Sequence, residues 1–474
     1  MSDTEVDTEA SVAGKPTKYC LSSSALTITI GNQTVPLRNV IAASYHPNAR
    51  LLKVAYVTRR KTKGCLSLVQ LDGQVEDAQA DSANNMAKTT LEWAYKGVKP
   101  NRRLKVLVNP HGGVGKAVAI FNKSIEPVLR AAGCILDIVH TKKHGDAYDI
   151  AKSLPLENYD AVVSVSGDGL VHEILNGFAN HAYPRKALRV PVAPVPTGSG
   201  NGLSLNLLGP DDGFDVIAAS LNVIKGSSMS VDVFSIMQGG KQTISYMSQA
   251  LGLMADLDLG TEDLRWMGDS RFVYGLLRGL IKFKACDVQF SFKAVEKDKK
   301  KMFDTLRSRP PKVDAELAHQ LPEPTEEEEN WALPEPKTSL DETEGWTTFP
   351  EPLLFLYAGK GPYVGRDFMA FPVSLPDDGL IDIMAQSTKS ITRTDVIASF
   401  GGAANGDLYW KDSTRYIKAE AYRVKPLSKK GFLSIDGEAY PFEDFQVEVL
   451  PKLATLISSC GSYIAPFHEP ASKK

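Results

Sequence analysis

Between residues 104 and 195 the sequence repeats one unit: a short apolar run, a glycine-bearing or polar loop, then a helical pattern. Strands are expected at 104–108, 135–140, 161–165 and 190–195. Helices are expected near 115–132, 146–153, 170–178 and 201–207, with another near 214–224. Strands that are apolar throughout, rather than alternating, are buried on both faces, so the unit predicts a parallel sheet covered by helices on either side. In a sheet of this kind ligands bind beyond the carboxyl ends of the strands.

The flanking sequence follows other rules. Leu26-Thr-Ile-Thr-Ile30 alternates, and Leu51-Leu-Lys-Val-Ala-Tyr-Val57 is apolar-rich. A β-rich N-terminal module is therefore expected over 18–98, after a polar, disordered tail at 1–17, with a loop at 73–86 and a helix at 87–98. The α/β unit spans 102–225. From 226 to 467 short runs such as Met229-Ser-Val-Asp-Val-Phe234, Leu353-Leu-Phe-Leu-Tyr357 and Phe445-Gln-Val-Glu-Val-Leu450 predict an antiparallel β-sandwich, interrupted by a helix from Glu262 to about Cys286. Within it, 294–349 carries a lysine cluster, prolines and Glu326-Glu-Glu-Glu329, which predicts a low-complexity, mobile insert.

Composition narrows the class. The formal net charge of −2 provides no field for nucleic acid, and five scattered cysteines form neither a metal pair nor a disulfide framework. The acidic, polar N-terminus is unlike a signal peptide, and no apolar run approaches the roughly 20 residues that span a bilayer. A soluble, cytoplasmic chain that visits membrane surfaces peripherally is the expectation; whether it forms a homodimer is left open.

Three glycine loops stand at the ends of the expected strands: Asn109-Pro-His-Gly-Gly-Val-Gly-Lys116, Ser166-Gly-Asp-Gly169 and Pro196-Thr-Gly-Ser-Gly-Asn-Gly202. The first fails both the Walker and the dinucleotide patterns. Each alone is an ordinary strand-to-helix turn. Together they would converge on one sheet edge, where bare amides and helix N-termini suit a polyanion. Asp168 among such amides points to phosphoryl transfer, as the group that orients a hydroxyl and accepts its proton late. A fourth fragment, Ser434-Ile-Asp-Gly-Glu438, places two carboxylates at one turn, a set that suits magnesium beside phosphate oxygens; alone it is also a common hairpin turn.

These fragments, with Ala255-Asp-Leu-Asp-Leu259 and in this order, resemble the sphingosine (long-chain base) kinases of the diacylglycerol kinase catalytic-domain superfamily, over about 102–293 and 350–465. The layout is closest to fungal and plant members. The resemblance implies a Rossmann-like fold of the NAD kinase/diacylglycerol kinase type followed by a β-sandwich lipid domain. It implies an ATP- and Mg2+-dependent enzyme acting on a sphingoid base. Asp168 would be catalytic. Nucleotide contacts would come from Asn109, Gly112, Gly113, Gly115, Lys116, Thr141, Ser166, Gly167, Gly169, Gly198, Ser199, Gly200 and Asn201. Arg265, Arg271, Asp436, Gly437 and Glu438 would join them, with Asp436 on the metal side. Ser248 and Asp258 would hold the lipid head, and Leu253, Met254, Leu257, Phe272 and Leu276 would line its tail. A diacylglycerol or ceramide kinase is the alternative enzyme, and a catalytically silent lipid or nucleotide sensor the alternative of another class.

Overall fold

The computed structural model describes residues 5–25, 27–59, 64–260, 283–309, 333–334, 336–338 and 342–470. Strands β1 (Glu5–Val12), β2 (Lys15–Ser22), β3 (Thr27–Ile30), β4 (Gln33–Pro36), β5 (Val40–His46), β6 (Leu51–Arg59) and β7 (Leu66–Gln74) form an antiparallel sheet in the order 4-3-2-1-7-6-5. Helix α1 (Ala80–Ala94) covers it with Ala83, Met86, Ala87 and Thr90 inward. The disordered tail expected at 1–17 is corrected from Glu5 onward: β1 pairs with β2 along its full length. Thr8 and Ala10 are buried, with Val6 and Val12 packed beside the core, so a period of two was hidden by a buried threonine. The loop expected at 73–86 is likewise shortened by the start of α1 at Ala80.

The parallel sheet contains β8 (Arg103–Val108), β9 (Ile135–His140), β10 (Ala161–Ser166) and β11 (Val192–Pro196), in the order 9-8-10-11. Its helices are α2 (Ala117–Ile120), continued through a π turn at Phe121–Ile125 into α3 (Glu126–Ala131), then α4 (Asp146–Lys152), α5 (Asp168–Ala179), α6 (Pro184–Arg189), α7 (Gly202–Asp212) and α8 (Val216–Lys225). All six residues of β10 are buried, as its lack of alternation requires of a central strand. Helix α7 runs past its expected end through a kink, where Gly209 takes φ 78° ahead of Pro210.

The C-terminal half adds β12 (Ser227–Gln238), β13 (Lys241–Ser245), β14 (Ser248–Gly252), α9 (Leu253–Asp258), β15 (Val288–Glu296), β16 (Thr347–Thr348), β17 (Leu353–Gly359), the small pair β18 (Tyr363–Gly365) and β19 (Phe368–Met369), β20 (Ile381–Ser387), β21 (Thr414–Pro426), β22 (Leu433–Ile435), β23 (Glu438–Tyr440) and β24 (Phe445–Ser458). Apart from β13, β16, β18 and β19 these strands contribute side chains to one apolar core. Ile381, Ile383 and Ala385 of β20 point into it, while Met384 faces the opposite cluster. The β half is not a free-standing sheet. Strand β24 pairs antiparallel with β21 and β12, then parallel with β11 at Leu456 opposite Val192, so one hydrogen-bonded sheet crosses both halves.

Two expectations change inside 294–349. Lys299–Ser308 is a helix, capped by the Asp298 side chain and anchored by buried Met302 and Phe303; lysines between the apolar positions concealed the pattern. β16 pairs with β15, and Glu448 accepts backbone N–H bonds from Lys337 and Thr338. The helix expected from Glu262 lies outside the described residues as far as 282; beyond it, Cys286 bridges to Leu353 in extended backbone. Among the described residues no helix is long and apolar enough to cross a membrane.

The N-terminal module shares its core with the α/β unit: one buried cluster runs from Ile28 and Val54 to Val108, Val195 and Val223. Polar contacts fasten the same seam. Arg59 pairs with Asp212, and Asp215 accepts the Leu66 N–H at 2.6 Å while its other oxygen caps α8. Buried Arg102 donates to the carbonyls of Val223 at 2.6 Å and Gly226 at 2.5 Å. Removing a charged donor to two buried carbonyls costs about 2–3 kcal/mol. Arg102→Ala should therefore lower the urea midpoint of unfolding by that equivalent; a midpoint equal to wild type would show that the seam does not depend on this residue.

Candidate active site

The site is assembled where four chain turns meet at the carboxyl end of the parallel sheet. After β8, Asn109 closes its loop by accepting the His111 N–H on Oδ1 at 3.0 Å and donates from Nδ2 to Ser166 Oγ at 3.3 Å. Gly113 sits at φ 60°, and a Cβ there would lie 2.6 Å from the Thr197 carbonyl. After β10 and β11 the approach is closer still, since a Cβ on Gly198 would lie 2.3 Å from the Gly167 Cα. The glycines are thus required for the loops to touch, and backbone amides rather than side chains form the floor. The N-terminus of α5, capped at Gly167, opens into the same space, whereas the first amides of α7, after its cap at Asn201, are taken up by the Asp168 carboxylate. A helix end facing the cavity favours negative charge within it.

Asp168 begins α5, and its carboxylate is gripped by the N-terminus of α7. Oδ2 accepts the Gly202 N–H at 2.7 Å and Oδ1 the Leu203 N–H at 3.1 Å. Tyr246 Oη donates to its carbonyl oxygen at 2.9 Å. Burial pushes the carboxyl up to about 6, outweighing the two amide bonds that favour its charge; the nearby Asp436 adds to the rise. An ordinary carboxylate near 4 is a poor partner for an alcohol proton, whereas one near 6 remains ionised at neutral pH and is a stronger base.

Asp436 has the opposite environment. Its side chain is fully buried and its backbone sits at φ 50°, the left-handed region. Oδ1 accepts from Ser245 Oγ and from the N–H groups of Met247 and Ser248; Oδ2 accepts from the Tyr246 N–H and His172 Nδ1. Burial opposes charge on His172, but the adjoining Asp436 carboxylate prevails and raises its pKa above the ordinary value. With five donors on two oxygens Asp436 ties the β13–β14 turn to α5 and has no coordination direction open in this conformation. Glu438 lines the cleft as well, with Oε1 3.1 Å from where a Gly169 side chain would begin.

The resulting cleft has a volume of about 400 Å³. Of the expected residues it is lined by Asn109, Gly112, Gly113, Thr141, Ser166, Gly167, Asp168, Gly169, Gly198, Ser199, Gly200, Ser248, Asp436, Gly437 and Glu438. Gly115, Lys116 and Asn201 do not line it. Gly115 and Lys116 stand exposed on the crest of their loop, and Asn201 folds back to bond Gly198 on both its N–H and its carbonyl. Leu253, Met254 and Leu257 are buried in the apolar cluster beneath α9. Arg265, Arg271, Phe272 and Leu276 fall outside the described residues, as does the side chain of Asp258.

The sequence reading missed several residues at the cleft, chiefly Lys143, His144 and Glu173. Glu173 Oε2 accepts the N–H groups of Gly145 and Ala147, both at 3.1 Å, and Oε1 lies 3.2 Å from His144 Nδ1, so it fixes the turn after β9 against α5. Its signal was present as the acid that ends Ser166-Gly-Asp-Gly-Leu-Val-His-Glu173. The basic run Lys142-Lys143-His144 at a strand end was the signal for the rim.

Residues 103–236 match the diacylglycerol kinase catalytic domain family. The chain is 32% identical over 394 residues to sphingoid long chain base kinase 4 of Schizosaccharomyces pombe, covering 81% of each protein. It is 29% identical to sphingosine kinase 2 of Arabidopsis thaliana over 77% of this chain and 79% of that one. A solved structure from Bacillus anthracis str. Sterne, described there as a candidate diacylglycerol kinase, is similar in fold with a TM-score of 0.51 at 20% identity. It covers 75% of this chain and 97% of the other.

The loop contacts give a direct test. Overpacking of about 1–3 kcal/mol corresponds to roughly five- to 150-fold in affinity. Gly198→Ala, whose Cβ would strike Gly167, should weaken binding of a fluorescent ATP analogue within that range; wild-type affinity on titration would mean that the touching loops do not form the polyanion floor.

Proposed function

This chain belongs to the sphingoid long-chain base kinases, and from that premise we propose that it phosphorylates the primary hydroxyl of sphingosine, dihydrosphingosine or phytosphingosine at the cleft around Asp168. The observation that carries the reading is the position of that carboxylate. It is buried, gripped by one helix N-terminus, at the start of a second helix, and it opens into a cleft floored by glycine amides. ATP with magnesium, when bound, supplies the phosphoryl group and neutralises its charge. The donor set fits: glycine-loop amides and the N-terminus of α5 suit a triphosphate, and Glu438 is the acid placed for the metal side.

The chain's own residues divide the remaining work. Asp168 orients the hydroxyl and accepts its proton late in a loose transition state. Asp436 and His172 hold the 245–248 turn, so Ser248 faces the cleft beside Asp168. Lys143 and His144 rim the cleft, where the positive charge of Lys143 attracts an anion. We assign the lipid head to Ser248 and Asp258, the tail to the apolar wall formed by Leu253, Met254 and Leu257 with Phe272 and Leu276, and the phosphates to Arg265 and Arg271.

A magnitude separates head from tail. A methylene leaving water contributes roughly 0.8 kcal/mol, but a tail already dry in a bilayer contributes almost nothing on transfer to a protein channel. Extraction therefore depends on the amine, where a carboxylate about 4 Å from an ammonium provides roughly 4 kcal/mol gross at an effective dielectric near 20. Asp258 would then discriminate a sphingoid base from diacylglycerol, which has no amine.

Three outcomes test this. Asp168→Asn should reduce phosphate transfer to sphingosine in mixed micelles by about 10²–10⁴-fold, the usual share of a positioned base. For wild type, kcat/KM should fall tenfold per pH unit below about 6, because the proton then held by Asp168 stops it accepting another. A flat acid limb, or a variant as fast as wild type, removes Asp168 from the role. When sphingosine and diacylglycerol compete at equal concentration, Asp258→Asn should lose the preference for the base; an unchanged preference places recognition of the amine elsewhere.

A further inference from the structure

Resting on the reading that the substrate resides in a bilayer, we infer that the loop from Leu427 to Phe432, between β21 and β22, is an anionic-membrane docking loop that sets the lipid-receiving end of the β half against the headgroups. Six large apolar side chains are strongly exposed among the described residues, and two of them, Leu427 at 67% and Phe432 at 53%, share this one loop. Between them stand exposed Lys429 and Lys430, and the stretch from Lys425 to Ile435 contains no acid. The neighbouring acids lie at the base of the loop, not at its tip. Asp287 precedes Val288, which pairs with Pro426, and Glu443 and Asp444 precede Phe445, which pairs with Val424.

The loop is built rather than loose. Ser428 Oγ donates to the Lys430 carbonyl at 3.3 Å and accepts the Lys430 N–H at 3.4 Å, and Leu427 donates its N–H to the Asp287 carbonyl at 2.8 Å. Gly431 lies directly against the Phe442 ring, where a Cβ would come within 2.4 Å. An ordered turn that holds two apolar side chains outward, with cations between them, suits an interface with acyl chains below and anionic headgroups around it.

The register gives the location its meaning. β22 pairs antiparallel with β14, with Leu433 opposite Leu251, so the loop emerges beside Gly252, the residue that precedes α9 and its wall of Leu253, Met254 and Leu257. The other end of β22 leads at once to Asp436 and Glu438 in the cleft. Leu427 is hydrogen-bonded to Asp287, one residue past the Cys286 bridge to Leu353, so the chain that follows α9 returns to the same end. A bilayer touched by Leu427 and Phe432 would meet the protein where the substrate wall begins, one short strand from the reacting groups.

The full-length chain can be sedimented with vesicles of phosphatidylcholine alone and of phosphatidylcholine with phosphatidylserine. Each lysine at an anionic surface contributes roughly fivefold to partition. Lys429→Gln with Lys430→Gln should therefore reduce binding to the anionic vesicles about 25-fold, and added salt should weaken wild-type binding. Leu427→Ser with Phe432→Ser should reduce binding to the same vesicles, and both pairs should keep the wild-type thermal midpoint. Neither pair touches the cleft, so transfer to sphingosine dispersed in detergent micelles should stay at the wild-type rate. Equal binding of wild type to the two vesicle types, or wild-type partition by both variant pairs, overturns the inference. A wild type that binds anionic vesicles yet phosphorylates no base in micelles would refute the functional reading and leave the docking loop standing.

Discussion

A buried carboxylate, that of Asp436, joins the α/β unit to the rolled β half at the point where they share a cleft. It receives three backbone N–H groups from the 246–248 turn, one hydroxyl from Ser245 and one ring nitrogen from His172 on α5. A charge at this depth is tolerated only when its lone pairs are engaged, so the geometry of the turn is dictated by the acid rather than merely compatible with it. The direction of Ser248 into the cleft follows from that turn. So does the placement of Tyr246, which donates to the backbone of Asp168.

Asp168 and Asp436 show how environment assigns two roles to one side chain. Asp436 has its acceptors filled by the protein and serves as a fixed anchor. Asp168 receives only two amide donors in a buried setting, and its pKa rises to about 6. The first charge organises structure; the second is held where burial makes it more basic, which a proton acceptor at neutral pH needs.

The site is also braced from outside. β24 runs through both sheets, so the cleft is lined by elements of one continuous hydrogen-bonded array rather than by two bodies joined by a linker. On the far side the N-terminal module buries its core against α8 and pairs Arg59 with Asp212 at the end of α7, the helix whose first amides hold Asp168. Such continuity favours a preorganised arrangement of groups at the cleft, which transition-state stabilisation requires.

The order of strands and glycine turns was legible because each is a local property. Unbroken apolar runs announce buried parallel strands, and glycines announce backbone that must come close to something. What those glycines approach was not local: Gly113 touches Thr197, and Gly167 touches Gly198, across 84 and 31 positions of sequence. β1 was hidden by its polar composition, and the helix at Lys299–Ser308 by its lysines, since burial of Thr8 or Phe303 depends on neighbours far along the chain. The amino-acid sequence by itself thus determined the strand–loop–helix succession and the chemical types gathered at the strand ends. Only the tertiary structure decided which carboxylate would be saturated and which left to work, because hydrogen-bond donors and desolvation come from residues that meet in space and carry no mark of that meeting in their order.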